Sequence, residues 1–181
     1  TALHDGASRR GIDALLRSGR LMQPVRGILV KAGTPDDVAS RAAAVCRILP
    51  DGAAVCRGTA AWLLGVDARP LGGHRATPPL ECAVPKGRTP IRRPDVSCYA
   101  TDLTAADVTE VAGVACIAPS RTAIDLARWS TPVIGLGAVD AMARSGLVVP
   151  AELLEMVERW RGDRFVARAR RLIELCDPRA E

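Results

Sequence analysis

Aromatic side chains are scarce: three Trp, one Tyr and one Phe make up only 3% of the 181 residues. A core must therefore be filled by Leu, Val, Ile and Ala, and a hydrophobic content of 48% supplies enough of them. Lysine is nearly absent, with only Lys31 and Lys86 against 23 Arg. The two histidines, His4 and His74, are too few and too far apart for a metal site or a Ser/His/Asp or Cys/His arrangement. No apolar run reaches the roughly 18–20 residues a membrane span requires, and no signal peptide opens the chain. The cysteines at 46, 56, 82, 98, 116 and 176 include no close pair of the zinc-finger or thioredoxin kind. They read as small buried hydrophobes in a reduced, cytoplasmic setting. Neither GxxxxGK[ST], GxGxxG nor GxSxG occurs, and no Pro-Asp is followed by an acid-x-Lys pair. No catalytic residue, metal or cofactor is assigned, and the chain is not expected to be an enzyme.

What the chain has is basic charge at one end. Residues 1–31 carry Arg9, Arg10, Arg17, Arg20, Arg26 and Lys31 against Asp5 and Asp13, so this segment holds four of the five net positive charges. A polyanion is the natural partner of such a segment. Ser8 suits a helix N-cap and Gly19 the left-handed position after the last turn, with Ile12, Leu15 and Leu16 on one face. Residues 20–31 read as two short strands turning near Arg26-Gly27. A helix followed by a basic hairpin is the layout of a winged helix, in which Arg9 and Arg10 would face base edges. Ser8 and the free amides of the first turn would hold a phosphate, while Arg17, Arg20, Arg26 and Lys31 would follow the backbone.

Thr34-Pro35-Asp36-Asp37 predicts a helix start, with Val38, Ala42, Val45 and Leu49 on its apolar face. A strand at 53–56 and a short helix at 59–64 follow, then a Pro- and Gly-rich loop over 69–79. Strands at 80–84 and 96–99 are expected to flank a hairpin-like loop crowded by Lys86, Arg88, Arg92 and Arg93. This cluster is a candidate partner site, for an acidic protein as readily as for nucleic acid. Residues 115–117 read as a third, buried strand. Helices are expected from Pro119, Pro132 and Pro150, each with Pro at its first position. A last helix over 163–176 carries Arg164, Arg168 and Arg171 on its outer face, and Arg121–Asp125 and Asp140–Arg144 are spaced as i,i+4 pairs. The expected fold is α/β: a truncated winged helix-turn-helix at 1–33, then a mixed-sheet core with C-terminal helices at 34–181.

SGRLMQPVRGILV resembles the wing of AbiEi-type antitoxins, the regulatory members of type IV toxin–antitoxin pairs. GTAAWLLGV resembles that family's following short helix, and APSRTAIDLA its strand-to-helix passage. The resemblance spans residues 8–130. It implies a transcriptional autorepressor that binds a double-stranded promoter operator through Ser8, Arg9, Arg10, Arg17, Arg20, Arg26 and Lys31. It also implies a nucleotidyltransferase-like toxin as partner. Only TALHDGA precedes the recognition helix, so the sequence reads as a fragment whose DNA element is incomplete. The ending LCDPRAE is similar to a junction at which related high-GC bacterial proteins continue into a Vsr-like endonuclease domain. The alternative expectation is thus the targeting part of such a nuclease.

Overall fold

The computed structural model describes residues 8–68 and 77–179. His4, His74 and residues 69–76 of the expected loop lie outside the described residues. Helix α1 (Arg9–Arg17) begins where Ser8 accepts the Gly11 amide at 3.1 Å and ends before Gly19, which takes φ +68°. Strands β1 (Leu21–Met22) and β2 (Val30–Lys31) pair antiparallel, Leu21 opposite Lys31. The loop between them turns inward: Val25 and Ile28 are buried against α2 (Val38–Cys46) and the main sheet.

Helix α2 starts three residues later than Pro35 suggests. Asp37, in extended conformation, accepts the Ser40 amide at 2.8 Å and is the actual N-cap, so the last candidate cap in the acidic run wins. Ala42 and Val45 are buried as expected, whereas Val38 is exposed and the helix stops before Leu49.

Strand β3 (Ala54–Val55) leads into α3 (Arg57–Leu63). Then come β4 (Leu80–Pro85), β5 (Arg92–Arg93), β6 (Val96–Thr101), β7 (Val108–Val111) and β8 (Val114–Ile117). The six form one mixed sheet in the order β5-β6-β4-β3-β8-β7. The connection 86–95 is not a hairpin: β4 and β6 run parallel, Leu80 opposite Val96 through Pro85 opposite Thr101. The reversal happens within the connection, where β5 pairs antiparallel with the outer edge of β6. Alternating apolar residues read the same in parallel and antiparallel neighbours, which is why the patterning left this open.

Helices α4 (Pro119–Trp129), α5 (Pro132–Arg144) and α6 (Pro150–Val157) each begin at the expected proline. A 3-10 turn at Glu158–Trp160 leads to α7 (Val166–Glu174). On one sheet face Leu80, Cys82, Val84 and Val96 pack under α2 and the 23–29 loop; Ala54, Ala83 and Ile117 form a smaller cluster with the partly buried Tyr99. A third cluster joins α3 to the four C-terminal helices through Ile124, Val139, Met142, Leu153 and Ile173. Each such fully buried side chain contributes ~1.5–3 kcal/mol over its exposed state. The molecule is an α/β protein with a mixed-sheet core and a C-terminal helical layer.

Candidate nucleic-acid interface

Helix α1 buries none of its residues. At about 100° per residue, Arg9, Asp13, Arg17 and Arg10 fall within a ~100° arc; Ile12, Leu15 and Leu16 fall in the neighbouring ~100° arc, with Leu16 only ~20° from Arg9. Arg20 lies next to the strand pair, where its carbonyl accepts the Ala32 amide at 2.9 Å, and Lys31 is exposed on β2. Arg9, Arg10, Arg17, Arg20 and Lys31 make no ion pair with any described residue, so five cations line an exposed helix and the outer end of the hairpin. Ser8 holds the first turn by capping it.

Arg26 differs from the other six. It sits in the inward-turned loop, where its guanidinium donates to the carbonyls of Pro94 at 3.1 Å and Thr77 at 3.5 Å. Its amide donates to the Pro78 carbonyl at 2.7 Å. Gly27, with φ +84°, lies against Asp95 so closely that a Cβ would meet the carboxylate at 3.0 Å. The end of the hairpin that a free wing would extend is thus bolted to the body.

Of the second basic cluster, Lys86 faces Asp102 at 3.5 Å and Arg88 donates to the Gly52 carbonyl at 3.4 Å. Arg93 grips Asp95 through two hydrogen bonds of 3.1 and 2.5 Å, which hold that carboxyl below its usual range. Arg92 is exposed on β5. The structure therefore spreads these four over a turn and an edge strand rather than gathering them at a hairpin tip.

The strongest electrostatic feature escaped the sequence reading. Every aromatic ring of the chain carries a guanidinium: Arg41 over Trp62 at 5.4 Å, Arg57 over Tyr99 at 3.7 Å, and Arg57 and Arg128 over Trp129 at 5.4 and 5.3 Å. Arg121, Arg159 and Arg128 surround Trp160 at 4.5, 4.8 and 5.7 Å, and Arg164 and Arg168 both lie 4.5 Å from Phe165. Beneath this shell, Asp107 is fully buried and caps its own 3-10 turn through Thr104. Burial alone would raise its carboxyl, but hydrogen bonds from Arg159 and Thr104 and the charge of Arg121 bring its pKa down to about 2. Glu81 and Asp125 go the other way: burial raises both, only partly offset by the charge of Arg57 at Glu81 and by the charge and hydrogen bond of Arg121 at Asp125. The expected Arg121–Asp125 pair is present at 3.0 Å, while Asp140 accepts the Asp177 amide. The sequence did hold a signal for the shell, since Arg immediately precedes Trp129, Trp160 and Phe165.

Residues 53–175, from the start of the sheet to the last helix, match the AbiEi antitoxin C-terminal domain. The chain belongs to this antitoxin family. Two proteins of Mycobacterium tuberculosis, one from strain CDC 1551 / Oshkosh and one from strain ATCC 25618 / H37Rv, are each 29% identical to it over 175 residues. Both are named as uncharacterized proteins, and the aligned region covers 96% of this chain and 60% of each relative. The matched domain leaves out α1 and the hairpin, so the basic segment is an addition in front of it. Among the described residues no helix is long and apolar enough to cross a membrane.

Proposed function

We propose that this chain is the antitoxin of a type IV toxin–antitoxin pair and represses its own promoter by binding duplex DNA. In this reading residues 1–33 form the DNA-binding element, in the manner of a winged helix, and residues 34–181 form the core that acts on a nucleotidyltransferase-like toxin. The supporting observation is that Arg9, Arg10, Arg17, Arg20 and Lys31 stand exposed on one helix and the adjoining hairpin end, with no carboxylate partner among the described residues. Arg residues at a helix start present bidentate donors to guanine, and the remaining cations meet phosphates. Ser8 keeps the first-turn amides in place for a phosphate. Arg26 is assigned to anchoring the hairpin rather than to DNA. Lys86, Arg88, Arg92 and Arg93 are assigned to the partner surface, with Arg92 the most available of the four.

The test is a gel-shift titration of the chain on duplex from its own upstream region, with unrelated duplex as competitor. Specific binding in the nanomolar-to-micromolar range is expected, and Arg9→Ala/Arg10→Ala should abolish the preference for the operator. Equal affinity of wild type and double variant for both duplexes would remove this reading.

A further inference from the structure

Cys82 on β4 and Cys98 on β6 occupy paired positions of two parallel strands. Paired residues of neighbouring strands project from the same sheet face about 4.8 Å apart, which falls inside the ~4.4–6.8 Å Cα separation that a disulfide spans. Their neighbours agree on the face: Leu80, Val84 and Val96 all belong to the cluster under α2, and Cys98 packs against it. The Cys98 thiol stands close enough to raise the pKa of the Cys82 thiol beside it. Among the strand pairings of the sheet no other two cysteines stand opposite each other. The two thiols differ in access. Cys82 is fully buried, whereas Cys98 is partly exposed and lines an open groove at the sheet edge with Ile91, Arg92, Arg93 and Tyr99. The groove reaches Cys98 because β5 covers β6 only at Val96 and Ser97.

We propose that Cys82 and Cys98 form an oxidisable dithiol, in which a hydroperoxide entering this groove converts the pair to a disulfide joining β4 to β6. The Cys98 thiolate attacks one peroxide oxygen, forming an S–O bond as the O–O bond breaks. The hydroxide released takes up a proton and leaves as water. Cys98 is then a sulfenic acid. The Cys82 sulfur attacks the Cys98 sulfur, the S–S bond forms, the S–O bond breaks, and the departing hydroxide leaves as water with the Cys82 proton. Two thiols lose two electrons and two protons; hydrogen peroxide becomes two waters. Burial, then the contact with Cys98, pushes the Cys82 thiol up to about 12, so Cys82 does not make the first attack and enters only once Cys98 is oxidised at the paired position beside it. Arg92 and Arg93 in the groove place positive charge where the leaving hydroxide forms.

The experiment treats the full chain with hydrogen peroxide, counts free thiols after denaturation, and maps the linked peptides without reduction. Two of the six thiols should disappear, with Cys82 joined to Cys98. In Cys82→Ser, Cys98 should instead be trapped by dimedone as the sulfenic acid, and Cys98→Ser should keep its five thiols under the same dose. The proposal is overturned if all six thiols survive at doses that oxidise free cysteine, if another cysteine reacts first, or if Cys98 passes to sulfinate without linkage. Cys116→Ser, which alters a buried thiol that donates to the Ile117 carbonyl and has no cysteine opposite it, should still form the disulfide; its failure to do so would equally count against the assignment.

Discussion

The guanidinium of Arg57 lies 3.7 Å from the ring centroid of Tyr99, although Arg57 sits at φ +48°, a conformation that side chains other than glycine rarely adopt. Such a backbone costs ~1–3 kcal/mol and persists only where the surroundings fix it. Here they do: the side chain also reaches Trp129 at 5.4 Å and partly offsets the buried charge of Glu81. Replacement by Ala keeps the strain and loses the stack, so Arg57→Ala should destabilise the fold by about 1–3 kcal/mol. Arg57→Gly should be less harmful by ~1 kcal/mol because the strain disappears. Urea unfolding of the two variants checks the order; an Ala variant more stable than the Gly variant would contradict it.

Asp107 gives the acid response. Its folded pKa of about 2 is below the 3.8 of a free carboxyl. The stabilisation is therefore complete above the higher value and fades as pH falls toward the lower one, an effect on the order of 2 kcal/mol. Wild-type stability should decline between about pH 4 and pH 2, and Asp107→Asn should flatten that decline while lowering stability at neutral pH by ~3–5 kcal/mol. The variant leaves buried Arg121 and the adjoining Arg159 without their shared carboxylate. Denaturant midpoints measured across this range decide it.

Two glycines of α5 should respond oppositely to the same substitution. A Cβ on Gly135 would meet Ala127 Cα and Leu172 Cδ1 at 3.1 Å and the Leu126 carbonyl at 3.2 Å, whereas one on Gly137 meets nothing within 4 Å. Gly137→Ala should stabilise by ~0.5–1 kcal/mol through helix propensity. Gly135→Ala should destabilise by about 1–3 kcal/mol, because α4 and α7 cannot both recede. Thermal melts of the pair provide the comparison.

Helix starts were legible because proline and cap residues act locally: Ser8, Pro119, Pro132 and Pro150 all mark their elements. What the sequence hid was non-local. Cys82 and Cys98 are sixteen residues apart and become neighbours only because β4 and β6 run parallel, which residue alternation does not specify. Strand β7 was missed because its face is largely exposed and carries Thr109 and Glu110. Arg26 looked like its basic neighbours, and only the folded hairpin shows that it reaches the Pro94 carbonyl.

That difference separates Arg26 from the rest of the basic segment. Arg26→Ala should lower stability by ~0.5–1.5 kcal/mol through lost hydrogen bonds while changing the salt dependence of DNA binding little. Arg17→Ala and Lys31→Ala should do the reverse, since both side chains are exposed and neither has a side-chain hydrogen bond or ion pair among the described residues. Unfolding and binding measured on the same variants resolve the two roles.

The most direct measurement is the slope of log binding constant against log salt concentration for the chain on a short duplex. Each phosphate contact contributes a slope of about −0.9, so wild type, with five exposed cations that have no ion pair among the described residues, should fall steeply. Replacing Arg17, Arg20 and Lys31 together by Ala should reduce the slope by ~2–3 while the fold is retained. An unchanged slope, or no binding by wild type at low salt, would contradict the assignment of this segment to DNA.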